Sequence, residues 1–203
     1  MNKTLLLTGF EQFGGAELNP SYEALKGLDG TRINCWTIRT ARLDVAWDSP
    51  MKQLRSLIEE HEPHTIISFG QGKPRSFTVE AVARNQRKIL PDNLRKLPST
   101  QKILADGPDA YSYEARAEAV AQELSDRGFR IRVSRNAGGY LCEECLYSAR
   151  HLMAKGEIEG KAMFFHVPPL GTFCDGRTVD VSYVREFVKA TAEVFAQSTQ
   201  PAQ

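Results

Sequence analysis

Cys142 is the residue whose type and position first suggest chemistry. It follows two glycines and a tyrosine in the segment SRNAGGYLCEECLYSARHLM, which runs from Ser134 to Met153, and it stands where a helix is predicted to start. Unpaired backbone N–H groups and the macrodipole at a helix N-terminus stabilise negative charge. Such an environment favours the thiolate form of a cysteine, which is the nucleophilic form. The segment therefore predicts nucleophilic catalysis by Cys142.

A second cysteine in this segment leaves other interpretations open. Cys142 and Cys145 both lie on the apolar stripe of the predicted helix, so both could pack simply as small apolar side chains. Their Cys-x-x-Cys spacing also resembles a thiol redox pair, although that motif usually follows the first strand of a domain. A zinc site is disfavoured because Cys35 and Cys174 are isolated in the sequence. We expect Cys145 to be structural and the chain to bind no metal.

His166 is the best candidate for the base that a cysteine nucleophile requires. It lies within the apolar stretch AMFFHVPPL, at the carboxyl end of a predicted strand, where open α/β sheets place their sites. A satisfied core histidine is the alternative interpretation, because a buried imidazole needs a hydrogen-bonding partner in either case. His61 and His64 bracket a helix end and a loop, and His151 is expected to be exposed on its helix.

A third group should hold the imidazole in the right tautomer. Glu80, in the stretch FTVEAVARN, is a carboxylate within a strand-like alternation that places it on the same face as Thr78 and Val82. Taken alone it is typical of a solvated strand face. Spacing does not distinguish it from the other acidic residues of the chain.

The elements that must position these residues alternate along the chain. Short apolar runs predict strands at Lys3–Thr8, Ile33–Thr40, Thr65–Phe69, Phe77–Ala83, Phe129–Val133 and Ala162–Val167. Helical periodicity predicts helices at Val45–Glu60, Ala115–Asp126, Cys142–Lys155 and Asp180–Ala196. The stretch from Leu90 to Tyr113 is expected to be irregular. This order predicts an α/β three-layer sandwich, with a mostly parallel twisted sheet and helices on both faces.

Size and composition narrow the class of protein. The 203 residues, 41% hydrophobic and 25% charged, are typical of an ordinary globular protein, and we expect one domain over residues 1–203 with a frayed tail from about residue 197. The net charge of +1 indicates no nucleic-acid partner, and apolar runs are too short for a membrane span. Four cysteines in no disulfide-like pattern favour the cytoplasm. The turn GFEQFGG lacks the pattern of a phosphate loop, so nucleotide binding is disfavoured.

Five segments, in order, resemble the cysteine-type pyroglutamyl peptidases, also called pyrrolidone-carboxylate peptidases. The resemblance covers most of the chain, and its motifs are TGFEQFGG with NPS, FGQGKPRSFTVEAVARN, DGPDAYSY, SRNAGGYLCEECLY and FFHVPPL. It implies Cys142 as nucleophile, His166 as base and Glu80 as the carboxylate that orients the base. It also implies removal of an N-terminal pyroglutamyl residue from peptides, without metal or cofactor, by a homo-oligomer, either a dimer or a tetramer.

The same resemblance implies how the lactam ring is bound. Phe10 and Phe13, in the turn after the first predicted strand, are similar to the family's ring-binding aromatic residues. Gln71 occupies the matching glutamine position, and Asn19 belongs to the NPS part of the N-terminal signature. A flat, uncharged lactam suits an aromatic slot with few polar contacts. Ordinary core packing is the alternative role for the two phenylalanines.

Three positions depart from the family pattern, namely Gln12, Ala81 and Glu143, which stand where proline, arginine and asparagine are typical. The change at Ala81 removes a cation expected near the site. We consider Arg84, Arg87 and Lys88 as candidates to replace it.

Overall fold

A seven-stranded sheet forms the centre of the fold in the computed structural model, which describes residues 3–158 and 160–197. The strands are β1 Lys3–Phe10, β2 Arg32–Ile33, β3 Trp36–Leu43, β4 Thr65–Gln71, β5 Phe77–Glu80, β6 Val82–Arg84, β7 Ala110–Ser112, β8 Ile131–Ser134, β9 Lys161–Val167, β10 Phe173–Cys174 and β11 Arg177–Thr178. The helices are α1 Pro20–Glu23, α2 Ser49–His61, α3 Glu114–Asp126, α4 Leu141–Ala154 and α5 Val181–Gln197.

Most neighbouring strands of this sheet run parallel. The order is β2-β3-β1-β4-β9-β5-β8, and only the β2–β3 and β9–β5 pairs are antiparallel within it. The pairs β6–β7 and β10–β11 form two small antiparallel sheets apart from the main one. The predicted mostly parallel sheet is therefore confirmed.

Each face of the sheet is covered by its own helices. Side chains alternate between faces along a strand, so Leu5 and Leu7 of β1 enter one buried cluster while Leu6 enters the other. Helices α3 and α5 pack in the first cluster, and α2 and α4 pack in the second. This arrangement confirms the predicted three-layer α/β sandwich.

The prediction of one strand over Phe77–Ala83 is wrong, because the chain leaves the main sheet at Ala81. The N–H of Ala81 donates to the carbonyl of Ser134 at 2.7 Å, and beyond it β6 pairs with β7 instead of with the main sheet. Glu80 is therefore the last residue of β5, whereas Val82 belongs to another sheet. The alternation of side chains continues across the break and conceals it.

Two other predicted boundaries are also wrong. The strand predicted over Ile33–Thr40 is a hairpin, in which Asn34 takes a left-handed backbone conformation with φ of 54° between β2 and β3. The helix predicted from Val45 begins only at Ser49, because Asp48 just before it takes a left-handed backbone conformation with φ of 65°, which interrupts a helix.

Some elements had no counterpart in the sequence prediction, namely α1, β7, β10 and β11, all of which are four residues or shorter. The predicted tail from about residue 197 lies outside the described residues, except Gln197, which ends α5. Within the described ranges, no helix has both the length and the apolar character needed to cross a bilayer.

Candidate active site

The parallel strands bring several of the predicted site residues to one edge of the sheet. Phe10 ends β1, Gln71 ends β4, and His166 is the penultimate residue of β9, so all three lie at carboxyl ends of neighbouring parallel strands. Glu80 reaches the same place from β5, which runs antiparallel to β9 and pairs Thr78 with His166. This edge is where open α/β sheets place ligands.

Glu80 is hydrogen bonded to the imidazole of His166. The distance from its Oε1 to Nδ1 of His166 is 2.8 Å, and the Thr78 hydroxyl donates to the same oxygen at 3.1 Å. Burial acts to raise the pKa of Glu80, but the hydrogen bond and charge of His166 outweigh it and hold that pKa below its usual value. An ionised carboxylate can only accept hydrogen bonds. Nδ1 of His166 is therefore the donor.

The other side of the imidazole meets the thiol of Cys142. Burial alone would lower the pKa of His166, but the charge and hydrogen bond of Cys142, together with those of Glu80, raise it to about 10. Since Nδ1 is engaged by Glu80, the interaction with Cys142 falls to Nε2. Sulfur, imidazole and carboxylate thus form a continuous series of contacts drawn from three distant segments of the chain.

Two glycines of β4 and its following turn make this approach possible. A Cβ added to Gly70 would lie 2.7 Å from Sγ of Cys142, and one added to Gly72 would lie 2.6 Å from Cβ of His166. Separations below about 3 Å between such atoms are repulsive, so any side chain at either glycine would displace Cys142 or His166. Sequence reasoning did not single out these glycines. The signal available was the Gly-x-Gly pattern at the end of a buried strand.

Helix α4 begins at Leu141, one residue before its predicted start, so Cys142 is its second residue. The turn before it uses Gly138 and Gly139, whose φ values of 102° and 72° are conformations that glycine adopts without strain. Tyr140 is the N-cap residue, and its side chain makes no capping hydrogen bond. The first backbone N–H groups of the helix are therefore left without a side-chain acceptor beside the sulfur.

Glu143 points away from solvent and holds this turn against β6. Its carboxylate is fully buried, accepts the backbone N–H of Arg84 at 2.7 Å, and also accepts that of Gly139. Burial raises the pKa of Glu143. The guanidinium of Arg84 donates to the carbonyl of Arg135, so this candidate cation is directed elsewhere than to Glu80.

Arg87, the most buried of the candidate cations, also has partners other than Glu80, His166 and Cys142. Its Nε lies 2.8 Å from the carboxylate of Glu144, and its Nη2 lies 2.6 Å from that of Asp48. The stem of Lys88 lies against Gly139. The cation expected at position 81 is therefore not replaced by a direct partner of Glu80 from these three residues.

A mostly apolar pocket opens beside the sulfur. It is lined by Phe10, Phe13, Asn19, Val45, Gln71, Tyr140, Leu141 and Cys142. All four residues predicted to bind substrate are therefore in one pocket with Cys142, while Val45, Tyr140 and Leu141 were not foreseen. The side chain of Asn19 is already engaged, because it donates to the carbonyl of Glu11 and accepts from Ser21.

The remaining cysteine and histidine of α4 have structural contacts. Cys145 is buried, its thiol donates to the Ser68 hydroxyl at 3.5 Å, and burial raises its pKa to about 12. The expectation that His151 is exposed is wrong. It is half-buried, and its Nδ1 lies 2.9 Å from the hydroxyl of Tyr111, because Tyr111 and Tyr147 cover that side of α4. Among residues 3–158 and 160–197, no group of three or more His, Cys, Asp or Glu side chains could hold a metal ion.

Similarity to known proteins extends over most of the chain. A family model described as "Pyroglutamyl peptidase" matches residues 3–190. A pyrrolidone-carboxylate peptidase of Bacillus cytotoxicus is 34% identical over 168 residues, which is 82% of this chain and 78% of that protein. One from Bacillus licheniformis is 32% identical over 182 residues, covering 89% of this chain and 83% of the relative.

Solved structures resemble the whole described fold. The pyroglutamyl peptidase I of Bacillus amyloliquefaciens superposes with a TM-score of 0.87 at 27% identity, covering 97% of this chain and 96% of the other. A mutant pyrrolidone carboxyl peptidase of Pyrococcus furiosus gives a TM-score of 0.87 at 28% identity, covering 97% of this chain and all of the other. The similarity thus includes every element that carries the candidate site.

Proposed function

The chain belongs to the pyroglutamyl peptidase family, and we propose that it is a cysteine exopeptidase that hydrolyses the amide bond after an N-terminal pyroglutamyl residue. The observation that carries this proposal is the series of contacts from Cys142 through His166 to Glu80, next to an apolar pocket. Nucleophile, base and orienting group are the parts that covalent hydrolysis of an amide requires.

In the first step the thiolate of Cys142 attacks the pyroglutamyl carbonyl, and a C–S bond forms as the carbonyl becomes an oxyanion. Backbone N–H groups at the start of α4 are placed to stabilise that oxyanion, each worth about 3 kcal/mol of barrier. The imidazolium of His166 then gives its Nε2 proton to the amine as the C–N bond breaks. A thioester of Cys142 remains, and the shortened peptide leaves.

In the second step His166, now neutral, accepts a proton from water as the water oxygen attacks the thioester. The C–S bond breaks, pyroglutamate leaves, and the thiolate–imidazolium pair is restored. Throughout both steps the ionised Glu80 accepts from Nδ1 and keeps Nε2 directed at the reacting atoms.

Specificity for a lactam follows from the pocket beside the sulfur. Its walls are aromatic and aliphatic, and Gln71 supplies the polar contact expected to pair with the ring or backbone amides. The pocket volume of about 20 Å³ holds only about one water molecule. We infer that ring entry moves the half-buried Phe13, whose turn continues through Gly14 and Gly15 in left-handed conformations.

A thiol redox function is disfavoured by the environment of Cys145. A resolving thiol must ionise and reach solvent, whereas this one is fully buried with a raised pKa and donates to Ser68. A relative that only binds pyroglutamyl ligands would keep the pocket but would not turn over a substrate, so the assay below separates it from the enzyme.

The decisive test is turnover of a fluorogenic pyroglutamyl amide, run beside the prolyl amide. We expect hydrolysis of the pyroglutamyl substrate only, and its loss in Cys142→Ala. Cys35→Ser is the matched control, because Cys35 is an exposed cysteine away from the pocket. Binding of pyroglutamate without turnover in the unaltered chain would support the binding protein instead, and activity surviving Cys142→Ala would contradict the assigned nucleophile.

The setting of the enzyme is part of the same proposal. We place it in the cytoplasm, which is supported by four free cysteines in the structure. The family resemblance supports a homo-oligomer, a dimer or a tetramer, and N-terminally pyroglutamylated peptides as the substrates. Sedimentation velocity of the purified chain measures the oligomeric state.

A further inference from the structure

A second, more polar cavity borders His166. Its volume is about 380 Å³, and its lining includes Gln71, Lys73, Ser76, Glu80, Arg132 and His166. Gln71 is the residue it shares with the apolar pocket. The two cavities are therefore neighbours, with Cys142 lining one and His166 lining the other.

The chemistry of the proposed reaction assigns the contents of each cavity. The lactam ring must lie on the side of the nucleophile, in the apolar pocket. The departing amine must lie within reach of the imidazole that protonates it. The residue that carries this amine therefore enters the cavity that His166 lines.

Strand pairing places a cation, Arg132, near His166. Arg132 of β8 pairs with Thr78 of β5, and Thr78 pairs with His166 of β9, so the three residues form one row across the sheet. Adjacent strands are about 4.8 Å apart, which puts the backbone of Arg132 about 10 Å from that of His166. A single amino-acid residue bound at its amine by His166 spans much of this gap.

The arginine is held in place, and the cavity carries net positive charge. Nη2 and Nε of Arg132 donate to the Ser76 hydroxyl at 2.7 and 3.3 Å. Lys73 adds a second cation from the turn after β4. Glu80 is the single carboxylate among the described residues that line the cavity, and its charge is already engaged by His166.

We propose that this cavity is the subsite for the leaving residue, and that Arg132 and Lys73 make it favour leaving residues that carry a carboxylate. The inference rests on the proposed peptidase function and specifies its substrate class. The carboxylate has two possible sources, the free α-carboxylate of a dipeptide or an acidic side chain. The leaving residue departs when the thioester forms, so it can influence only binding and acylation. The preference for a charged leaving residue is therefore expected in kcat/KM.

The test compares two matched pairs of substrates in which only the charge changes. Pyroglutamyl-alanine against its amide measures the α-carboxylate, and pyroglutamyl-glutamate amide against pyroglutamyl-glutamine amide measures the side chain. We expect kcat/KM to favour the charged member of at least one pair by about fivefold, as one partly exposed ion pair provides. High salt should reduce the preference, because it screens exposed charges.

Variants then assign the preference to the two cations. Arg132→Gln and Lys73→Gln should each move the charged-to-neutral ratio toward one, while Arg132→Lys retains part of it. Lys52→Gln, which removes an exposed lysine of α2 outside the cavity, should leave the ratio unchanged. Turnover of all four substrates with ratios of one or below would overturn the subsite alone. If none of the four substrates is turned over, the proposed function is overturned, and this subsite with it.

Discussion

Glu80 controls both the tautomer and the charge of His166. Its ionised carboxylate accepts from Nδ1 and contributes to the raised pKa of the imidazole. In the proposed mechanism the imidazolium is the acid that protonates the leaving amine, so the activity is lost as pH rises through the pKa of His166. With that pKa raised to about 10, the falling limb of the pH profile belongs in the alkaline range.

Glu80→Gln should move that falling limb of kcat/KM to lower pH. The amide oxygen can still accept from Nδ1, but the negative charge that stabilises the imidazolium is gone, so the pKa of His166 falls. The displacement should be roughly one pH unit or more. The pH profile of pyroglutamyl amide hydrolysis measures it, with Glu114→Gln as a surface control whose profile should match the unaltered chain. A limb that stays in place in Glu80→Gln would contradict this role.

Residue types and their positions in the sequence predicted only part of the site. Cys142 was found from its position at a helix start, and His166 from its polarity within an apolar strand. Glu80 was found only through the family resemblance, because its partner lies 86 positions away in sequence. Thr78 was foreseen only as a residue on the same face, without its bond to that carboxylate.

At the scale of elements, the close approach of α4 to β4 determines where the sulfur lies. A Cβ at Gly70 would meet both Sγ of Cys142 and the ring of Phe164. The absence of a side chain at this position lets the start of the helix come down onto the sheet, within reach of His166. The strand and the helix therefore pack against one another at the sulfur of Cys142.

Gly70→Ala should abolish most activity and also destabilise the fold. The added Cβ would meet Sγ of Cys142 at 2.7 Å, and such overpacking costs about 1–3 kcal/mol. Urea unfolding measures the cost. In the Cys142→Ala background the sulfur is absent, so the same substitution should cost about 1 kcal/mol less. An equal cost in both backgrounds would show that the sulfur does not occupy the space in question.

Sequence patterns located the main elements better than their ends. The periodicities correctly indicated the four main sheet strands of the site and the four long helices, because burial of one face imposes them. The break at Ala81 was missed because alternation of side chains records burial, and a change of pairing partner leaves it intact. The start of α2 was missed because Val45 and Trp47 are buried by contacts with distant segments, with the N–H of Trp47 bound to the carboxylate of Asp92.

For the whole molecule, the central sheet joins segments from across the described chain. Neighbouring strands β4 and β9 are separated by some ninety residues, and β1 lies next to β4. Formation of the site therefore depends on the sheet, because β5 with Glu80 pairs with β9 with His166 in it, and α4 with Cys142 packs on β4 and β9. This is the physical ground for proposing one domain, and it also explains why contacts between residues could not be deduced from patterns along the sequence.

One domain implies one cooperative unfolding transition, and the two tryptophans can test it face by face. Trp36 belongs to the buried cluster with α3 and α5, and Trp47 belongs to the cluster with α2 and α4. We expect the fluorescence and far-UV circular dichroism of Trp36→Phe to share one urea midpoint, and likewise those of Trp47→Phe, because neither face stays folded without the shared sheet. Comparing two probes within one variant removes any effect of the substitution on stability. Two separated midpoints in either variant would mean that one layer unfolds independently, and the single-domain proposal would then be wrong.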